Sequence, residues 1–331
     1  MNDRKGFAQS IETSYMGMRL SGPVIASSSP LTASADSVAE LAAAGAGAVV
    51  LKSIFEEQIA GQAASLEKYS DYPEAQQYLS RYMEGDYVTG YINLIRELKA
   101  RVDIPIIGSI NCYTAGRWAE YAATLENAGA DAIELNIFLQ PVSPERSGAE
   151  IESDYIDIAA AVTESVSAIP VAVKLAPHFT NPLNVIASLR DRGVRGVVLF
   201  NRMFEPQIRI DTMQLAAGEP FSTSAELRTS LRTVALCSAK VERVDISVST
   251  GVHDHADAIR SLLAGATTVQ VCTALYKNGI GYISGINAGI ADWMNGHGYR
   301  SIEDFRARMN ARAAKDGGIY YRTQYMRYFP E

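Results

Sequence analysis

The chain has 331 residues, 47% of them hydrophobic and 20% charged, with a formal net charge of -7. That length and apolar content suffice for one large core or two ordinary domains. The acidic balance argues against nucleic acid or an anionic membrane as the main partner, while a local basic pocket for a small anion stays open.

At the N-terminus, Met1-Asn2-Asp3-Arg4-Lys5 is followed by no apolar segment of signal-peptide length. No apolar run approaches the roughly 18 residues that a membrane helix needs. Cys112, Cys237 and Cys272 show neither a CxxC nor a metal-ligand spacing. The expectation is a cytoplasmic protein in a reducing compartment, with no metal and no membrane partner.

Eight strands are predicted in chain order: Pro23–Ser28, Ala48–Ser53, Pro105–Asn111, Ala132–Ile137, Val171–Ala176, Gly196–Asn201, Val244–Thr250 and Thr268–Thr273. Helix-type apolar spacing fills Asp36–Ala44, Arg117–Ala128, Ser153–Ser167, Pro182–Asp191, Ala225–Lys240 and Ala256–Ala264. Such alternation implies parallel strands joined by crossover helices, and eight repeats imply a closed (β/α)8 TIM barrel. One barrel domain is expected to span 1–331. Four segments repeat one junction, in which a helix ends at Gly45, Gly129, Gly193 or Gly265 and a short apolar strand follows. The glycine supplies the left-handed closure of a helix. The strand then stops at a polar residue, Lys52, Asn136, Asn201 or Thr273, at the end where barrel active sites are built.

Two connections are long, both on the active-site face. Phe55 to about Gly90, after the second strand, carries Tyr69, Tyr72, Tyr78, Tyr82 and Tyr87. Arg202 to about Ser222, after the sixth, carries Arg202, Arg209 and the alternating Gln207-Ile208-Arg209-Ile210-Asp211. The tyrosine-rich stretch reads either as a packed insertion or dimer contact, or as a substrate lid. Arg202 and Arg209 could bind a carboxylate or phosphate, or simply face solvent. The aromatic, basic Tyr320–Tyr328 stretch reads as a docked tail or an interface.

Barrels that bind phosphorylated ligands often use the loops after strands seven and eight. Here these are Ser249-Thr250-Gly251-Val252 and Cys272-Thr273-Ala274-Leu275. Gly251 permits close backbone approach, and Thr273 adds a hydroxyl at the start of the next helix. The same small residues could merely close two tight turns.

Several blocks, in order and at matching spacing, resemble the dihydroorotate dehydrogenase family of FMN-dependent barrels from about Met16 to about Ala311. They are Val24-Ile25-Ala26-Ser27-Ser28, Val49-Val50-Leu51-Lys52-Ser53, Ile133-Glu134-Leu135-Asn136, Val171-Ala172-Val173-Lys174-Leu175-Ala176-Pro177 and the segment Leu263–Leu275. The resemblance implies that Ala26 and Ser27 lie along the flavin. Lys52 and Ser53 would contact flavin and substrate, Asn136 would bond near both, and Lys174 would sit at the flavin's pyrimidine edge. Asn201 would face the substrate. The loops containing Thr250, Gly251, Cys272 and Thr273 would hold the FMN phosphate. A homodimer is the expected assembly.

The match departs from the family around the substrate. The family's base, a cysteine or serine after the fourth strand, is replaced by Leu139 in Leu135-Asn136-Ile137-Phe138-Leu139-Gln140-Pro141. A leucine cannot take a proton. The family's Asn-Ser-Met-Gly-Leu-Pro-Asn segment has no counterpart between Phe55 and Gly90. Cys112, after the third strand, and His178, after the fifth, are the candidate substitutes, each also readable as a packing or loop residue. His253 and His255 lack a third metal ligand. The expectation is therefore an FMN-dependent dehydrogenase acting on CH–CH bonds. Its substrate is dihydroorotate, as in pyrimidine biosynthesis, or another dihydro-heterocycle. The alternatives are a non-redox isomerase or aldolase for a phosphorylated substrate, with Lys52 or Lys174 as Schiff base, and a flavin-binding protein without turnover.

Overall fold

A computed structural model of the chain describes residues 10–56, 73–112, 114–139, 141–203 and 205–321. A hairpin comes first, β1 (Thr13–Tyr15) against β2 (Met18–Leu20). Then follow β3 (Val24–Ala26), β4 (Ala48–Val50), β5 (Ile54–Phe55), β6 (Ile106–Asn111), β7 (Ala132–Asn136), β8 (Val171–Leu175) and β9 (Gly196–Leu199). A ribbon of β10 (Pro206–Arg209) and β11 (Gln214–Ala217) precedes β12 (Asp245–Val248) and β13 (Thr268–Val271). Strands β3, β4, β6, β7, β8, β9, β12 and β13 pair in that order, all parallel, and β13 pairs back onto β3. The predicted eight-stranded TIM barrel is what forms, each strand lying inside its predicted span. The short β5 adds to the mouth end of β6, with Ile54 opposite Ile110.

Helices α1 (Ala35–Ala43), α2 (Pro73–Arg101), α3 (Ala115–Ala128), α4 (Gly148–Ser165), α5 (Pro182–Asp191), α6 (Leu227–Lys240) and α7 (His255–Ala264) are the crossovers. α8 (Thr273–Asn278) and α9 (Tyr282–His297) follow the last strand. The four repeated glycines all take the left-handed backbone, with φ of 91° at Gly45, 99° at Gly129, 92° at Gly193 and 115° at Gly265. Between helices and barrel lies the large apolar layer, built from outward strand residues such as Val49, Ile133, Val173 and Val269 and the buried helix stripes.

Two stretches differ from the sequence reading. The connection after β4 was expected to run as a loop to about Gly90, yet α2 begins at Pro73. Its second half carries a helical stripe: Tyr91, Ile95 and Leu98 are buried, with Tyr87 half-buried one turn before. Tyrosines on that stripe serve as core residues, which is why the stretch looked like an aromatic insertion. Tyr78 and Tyr82 fall within α2, and Tyr69 and Tyr72 lie outside the described residues. The connection after β9 holds the β10–β11 ribbon, on which Ile208, Ile210, Met213 and Leu215 are exposed. Of the aromatic tail, Tyr320 Oη donates to the Met309 carbonyl and Lys240 lies over the Tyr321 ring; its remainder lies outside the described residues. Among those residues no helix is long and apolar enough to cross a membrane, and no His/Cys/Asp/Glu group could hold a metal.

The inside of the barrel is narrow in side-chain volume at its lower end. Ala48, Ala132 and Ala172 face inward beside Ile25, Val50 and Ile107, and Tyr15, Met16 and Leu20 from the hairpin fill the space they leave. The Met16 amide donates to Asp245 Oδ2 at 2.6 Å, tying the hairpin to the start of β12. Gly196 makes room for this floor. A Cβ there would stand 2.8 Å from Met16 Sδ and 2.9 Å from Tyr15 Oη. Gly196→Ala is expected to cost about 1–3 kcal/mol by overpacking. Urea unfolding measures it, and an unchanged midpoint would mean that the floor yields.

Candidate functional site

Strand alternation decides which side chains enter the barrel mouth. In register, Ser109 lies opposite Glu134, Asn136 opposite Lys174, Lys174 opposite Val198, and Ser247 opposite Thr268. Above them, two adjoining cavities of about 370 and 150 Å³ share Ser28, Lys174, Asn201 and Arg202, and so form one trough across the mouth. The first part is walled by Lys52, Ser53, Asn111, Asn136 and Phe138. The second is walled by Ser222, Thr250, Gly251, Cys272 and Thr273. A larger open cavity, about 1070 Å³, lies at the other end of the barrel beside Met16, Arg195 and Asp245. Size does not select it, because the convergent polar groups and the strand C-termini belong to the trough.

A buried polar network forms the trough floor. Lys174 Nζ donates to Ser27 Oγ at 3.2 Å and to Gln270 Oε1 at 3.5 Å. Ser27 Oγ in turn donates to Gln270 Oε1 at 3.1 Å. Gln270 Nε2 donates to Glu134 Oε2 at 2.5 Å, and Lys174 Nζ stands 3.9 Å from Glu134 Oε1. Glu134 is 1% exposed. Burial raises its carboxyl above the usual range, against the opposing pull of Lys174 and Gln270. A second chain of hydroxyls runs along the wall, where Ser28 Oγ accepts from the Ser53 amide at 3.0 Å and Ser53 Oγ meets Ser109 Oγ at 2.7 Å. Asn201 Nδ2 donates to Asn136 Oδ1 at 2.9 Å, orienting two amides over the same space. Arg202 is held by Glu226 Oε2 at 3.0 Å and the Glu219 carbonyl at 2.8 Å, which fixes its guanidinium at the junction of the two cavities.

The far end is built from backbone. Thr250 and Gly251 are both left-handed, with φ of 69° and 86°, which turns the chain sharply after β12. Asp254 then caps α7, accepting from the Asp257 amide at 2.9 Å. No backbone carbonyl among the described residues accepts from the amides of Gly251, Val252, Thr273 or Ala274. Donors left over beside a small cavity suit an anion. Nearby, Ser222 Oγ bonds His253 Nε2 at 3.0 Å, and Lys277 Nζ donates to the Ser222 carbonyl at 3.3 Å. Burial, with Lys277, holds the His253 ring below its usual value. Burial also raises the Cys272 thiol, against Lys174 and Ser29.

Of the residues singled out from sequence, Ser27, Lys52, Ser53, Asn136, Lys174, Asn201, Thr250, Gly251, Cys272 and Thr273 line this one trough. Three do not. Ala26 points outward and is fully buried between barrel and helices, because Ser27, one residue on, holds the inward position. Cys112 is 5% exposed in the same apolar layer. His178 is exposed, lines a separate small cavity with Leu139 and Phe179, and meets Met203 Sδ. Leu139 carries no acid–base group, and its amide donates to Tyr155 Oη at 3.2 Å. Arg209 is exposed on the ribbon, away from the trough. Glu134 and Gln270 carry the floor network without having been assigned a role from sequence. Their signal was a charge or amide at an inward position of an otherwise apolar strand.

Lys174→Met would leave Glu134 buried without a cation, expected to cost about 3–5 kcal/mol at neutral pH. The Glu134 carboxyl titrates above its unfolded value, so its stabilising contribution is present at low pH and lost as pH rises through the folded value. Without Lys174 that folded value rises further. The deficit should therefore be larger at about pH 8 than at about pH 5 in paired urea titrations. Equal deficits would mean that Glu134 does not respond to Lys174.

Comparison with known proteins agrees with this architecture. Residues 10–294 match the dihydroorotate dehydrogenase family. The catalytic subunit of dihydroorotate dehydrogenase B (NAD(+)) from Thermoplasma volcanium is 28% identical over 300 residues, covering 89% of this chain and 96% of the relative. Its counterpart from Methanothermobacter thermautotrophicus is 29% identical over 316 residues, with the same 89% and 96% coverage. The chloroplastic dihydropyrimidine dehydrogenase (NADP(+)) of Arabidopsis thaliana is 28% identical over 212 residues, 59% of this chain and 49% of that protein. The match removes the isomerase and aldolase alternative. The chain belongs to the dihydroorotate dehydrogenase family, FMN-dependent dehydrogenases that act on CH–CH bonds.

Proposed function

We propose that the trough holds FMN and oxidises a dihydro-heterocycle other than dihydroorotate. The observation that carries the cofactor half is the set of amides at Gly251, Val252 and Thr273, without a backbone acceptor among the described residues, in one trough with the Lys174 ammonium. The residues fit the group. The amide-lined end suits a phosphate, and Ser27, Lys174 and Asn201 lie where a planar ring would continue. Bound FMN supplies the hydride acceptor. Lys174 would stabilise negative charge at the ring edge. The hydrogen-bonded Asn136–Asn201 pair would present amide groups to a flat, polar substrate, and Lys52 and Arg202 would favour an anionic one.

The substrate half rests on Leu139. Oxidation of a CH–CH bond needs a proton removed from one carbon as hydride leaves the other. Leu139 cannot take it, and neither Cys112 nor His178 lines the trough. With the base missing, dihydroorotate should be oxidised slowly, by roughly 10²–10⁴-fold relative to a site with a base.

Two experiments test the two halves separately. For the cofactor, purified protein should be yellow, and Thr273→Glu should weaken FMN binding at least about tenfold, or about 1.4 kcal/mol. Riboflavin, which lacks the phosphate, should bind the variant as before. Equal loss for both ligands would remove the phosphate assignment. For the substrate, the flavin band is followed anaerobically after adding dihydroorotate. Slow bleaching is expected. Rapid bleaching of the unaltered protein would mean that another group takes the proton and that dihydroorotate is the substrate. No bleaching by any dihydro-heterocycle would leave a flavin-binding protein without turnover.

A further inference from the structure

Lys174 faces two ways. It lines the trough, and it pairs at 3.9 Å with Glu134, a residue that borders the same cavity. Glu134 is buried, and its two oxygens are unequal. Oε2 accepts from Gln270 Nε2, whereas Oε1 has no hydrogen-bond partner among the described residues. Glu134 in turn acts on two phenols, Tyr15 from β1 and Tyr91 from α2. Burial raises both well above the usual tyrosine value, so neither changes charge near neutrality. Asp245 stands beyond Tyr15, at the far end of the barrel. On the trough side, the Cys272 thiol feels Lys174 and is itself raised by burial. Among the described residues Glu134 is thus a buried carboxylate paired with one ammonium, and both groups border the trough.

We propose that Glu134 is a proton acceptor coupled to reduction of the cofactor, taking a proton on Oε1 when electrons enter the trough and releasing it when they leave. The proposal rests on the FMN reading above. With an oxidised, uncharged ring in the trough, Lys174 and Glu134 neutralise each other. A two-electron donor, the dihydro-heterocycle, would give a hydride to the ring and its second hydrogen to water as a proton, so that the ring would gain negative charge beside Lys174. The ammonium then has two anions to balance. A buried carboxylate stripped of its counter-charge is costly, and neutralisation removes the cost. The proton comes from water and bonds to the unpartnered Oε1; no electrons pass through Glu134. When an oxidised redox mediator, as in the potentiometric test below, withdraws the two electrons, the ring charge would be lost, Lys174 would again balance the carboxylate, and the proton would return to solvent. Glu134 acts through Lys174 and is a positioning residue rather than a catalytic one.

The test measures proton uptake per electron pair, from the pH dependence of the flavin midpoint potential in FMN-loaded protein. The unaltered protein should take up about one proton more per electron pair than Glu134→Gln, across the pH range in which Glu134 changes state. Its slope should be about twice that of the variant there. Glu134→Asp, which keeps the carboxyl, should retain the steeper slope. A purely structural role would lower stability or FMN affinity and leave the slope alone. Redox-difference infrared spectra of the unaltered protein give a second readout that needs no variant: a carboxylic-acid carbonyl band that appears on reduction and shifts in deuterium oxide. Equal slopes with FMN bound to both proteins, or no such band, would overturn the proposal and leave the FMN reading standing. A chain that takes up no FMN would overturn both.

Discussion

The pairing register of the eight parallel strands is the constraint on which everything else rests. A strand's side chains alternate, so one hydrogen-bond register decides which residues face inward around the whole barrel. Pairing Asn136 with Lys174 and Ser109 with Glu134 sends four polar groups to the mouth. The same register turns Val49, Ile133 and Val173 out to the helices. A slip of one residue on β7 would bury Asn136 and Glu134 against apolar helix stripes and leave no floor network. The apolar layer that sets the register therefore also aligns the site.

Within the site, electrostatics and backbone divide the labour. The floor is a buried cluster in which Lys174, Gln270 and Ser27 share hydrogen bonds around Glu134. Removing water strengthens each of these contacts and makes any unbalanced charge expensive. The far end relies on amides freed by a left-handed turn and a helix start, which need no particular side chain. The amide-lined end of the trough is thus specified by geometry that tolerates sequence change. The substrate half depends on individual side chains, and there Leu139 departs from the family.

Much of this was legible in the chain, for identifiable reasons. Four glycine junctions marked helix ends because left-handed backbone is costly for other residues. Polar residues ending apolar runs marked the mouth, and Lys52, Asn136, Lys174 and Asn201 lie there together. What stayed hidden depended on packing between distant segments. α2 was obscured because its buried stripe begins with tyrosines, which read as surface aromatics until Ile95 and Leu98 join them on one face. Ala26 and Ser27 are adjacent, and only the register tells which one faces the trough. Cys112 and His178 follow barrel strands, yet the chain bends each away from the trough. Gln270 looked like a motif letter; its partner, Glu134, lies 136 residues away.

The floor of the barrel has a consequence for how the chain comes together. Ala48, Ala132, Ala172 and Gly196 leave a hollow that the strands cannot fill by themselves, and Tyr15, Met16 and Leu20 occupy it. These stopper residues leave the ribosome early, but the Met16 amide finds its acceptor, Asp245, only 229 residues later. The cylinder cannot be sealed at its base until most of it has been synthesised. Contacts so distant in sequence slow assembly and leave half-formed sheets open to association. The early hairpin is a part made first and fitted last, so the nascent chain must keep its apolar plug apart from unfinished strand edges while it waits.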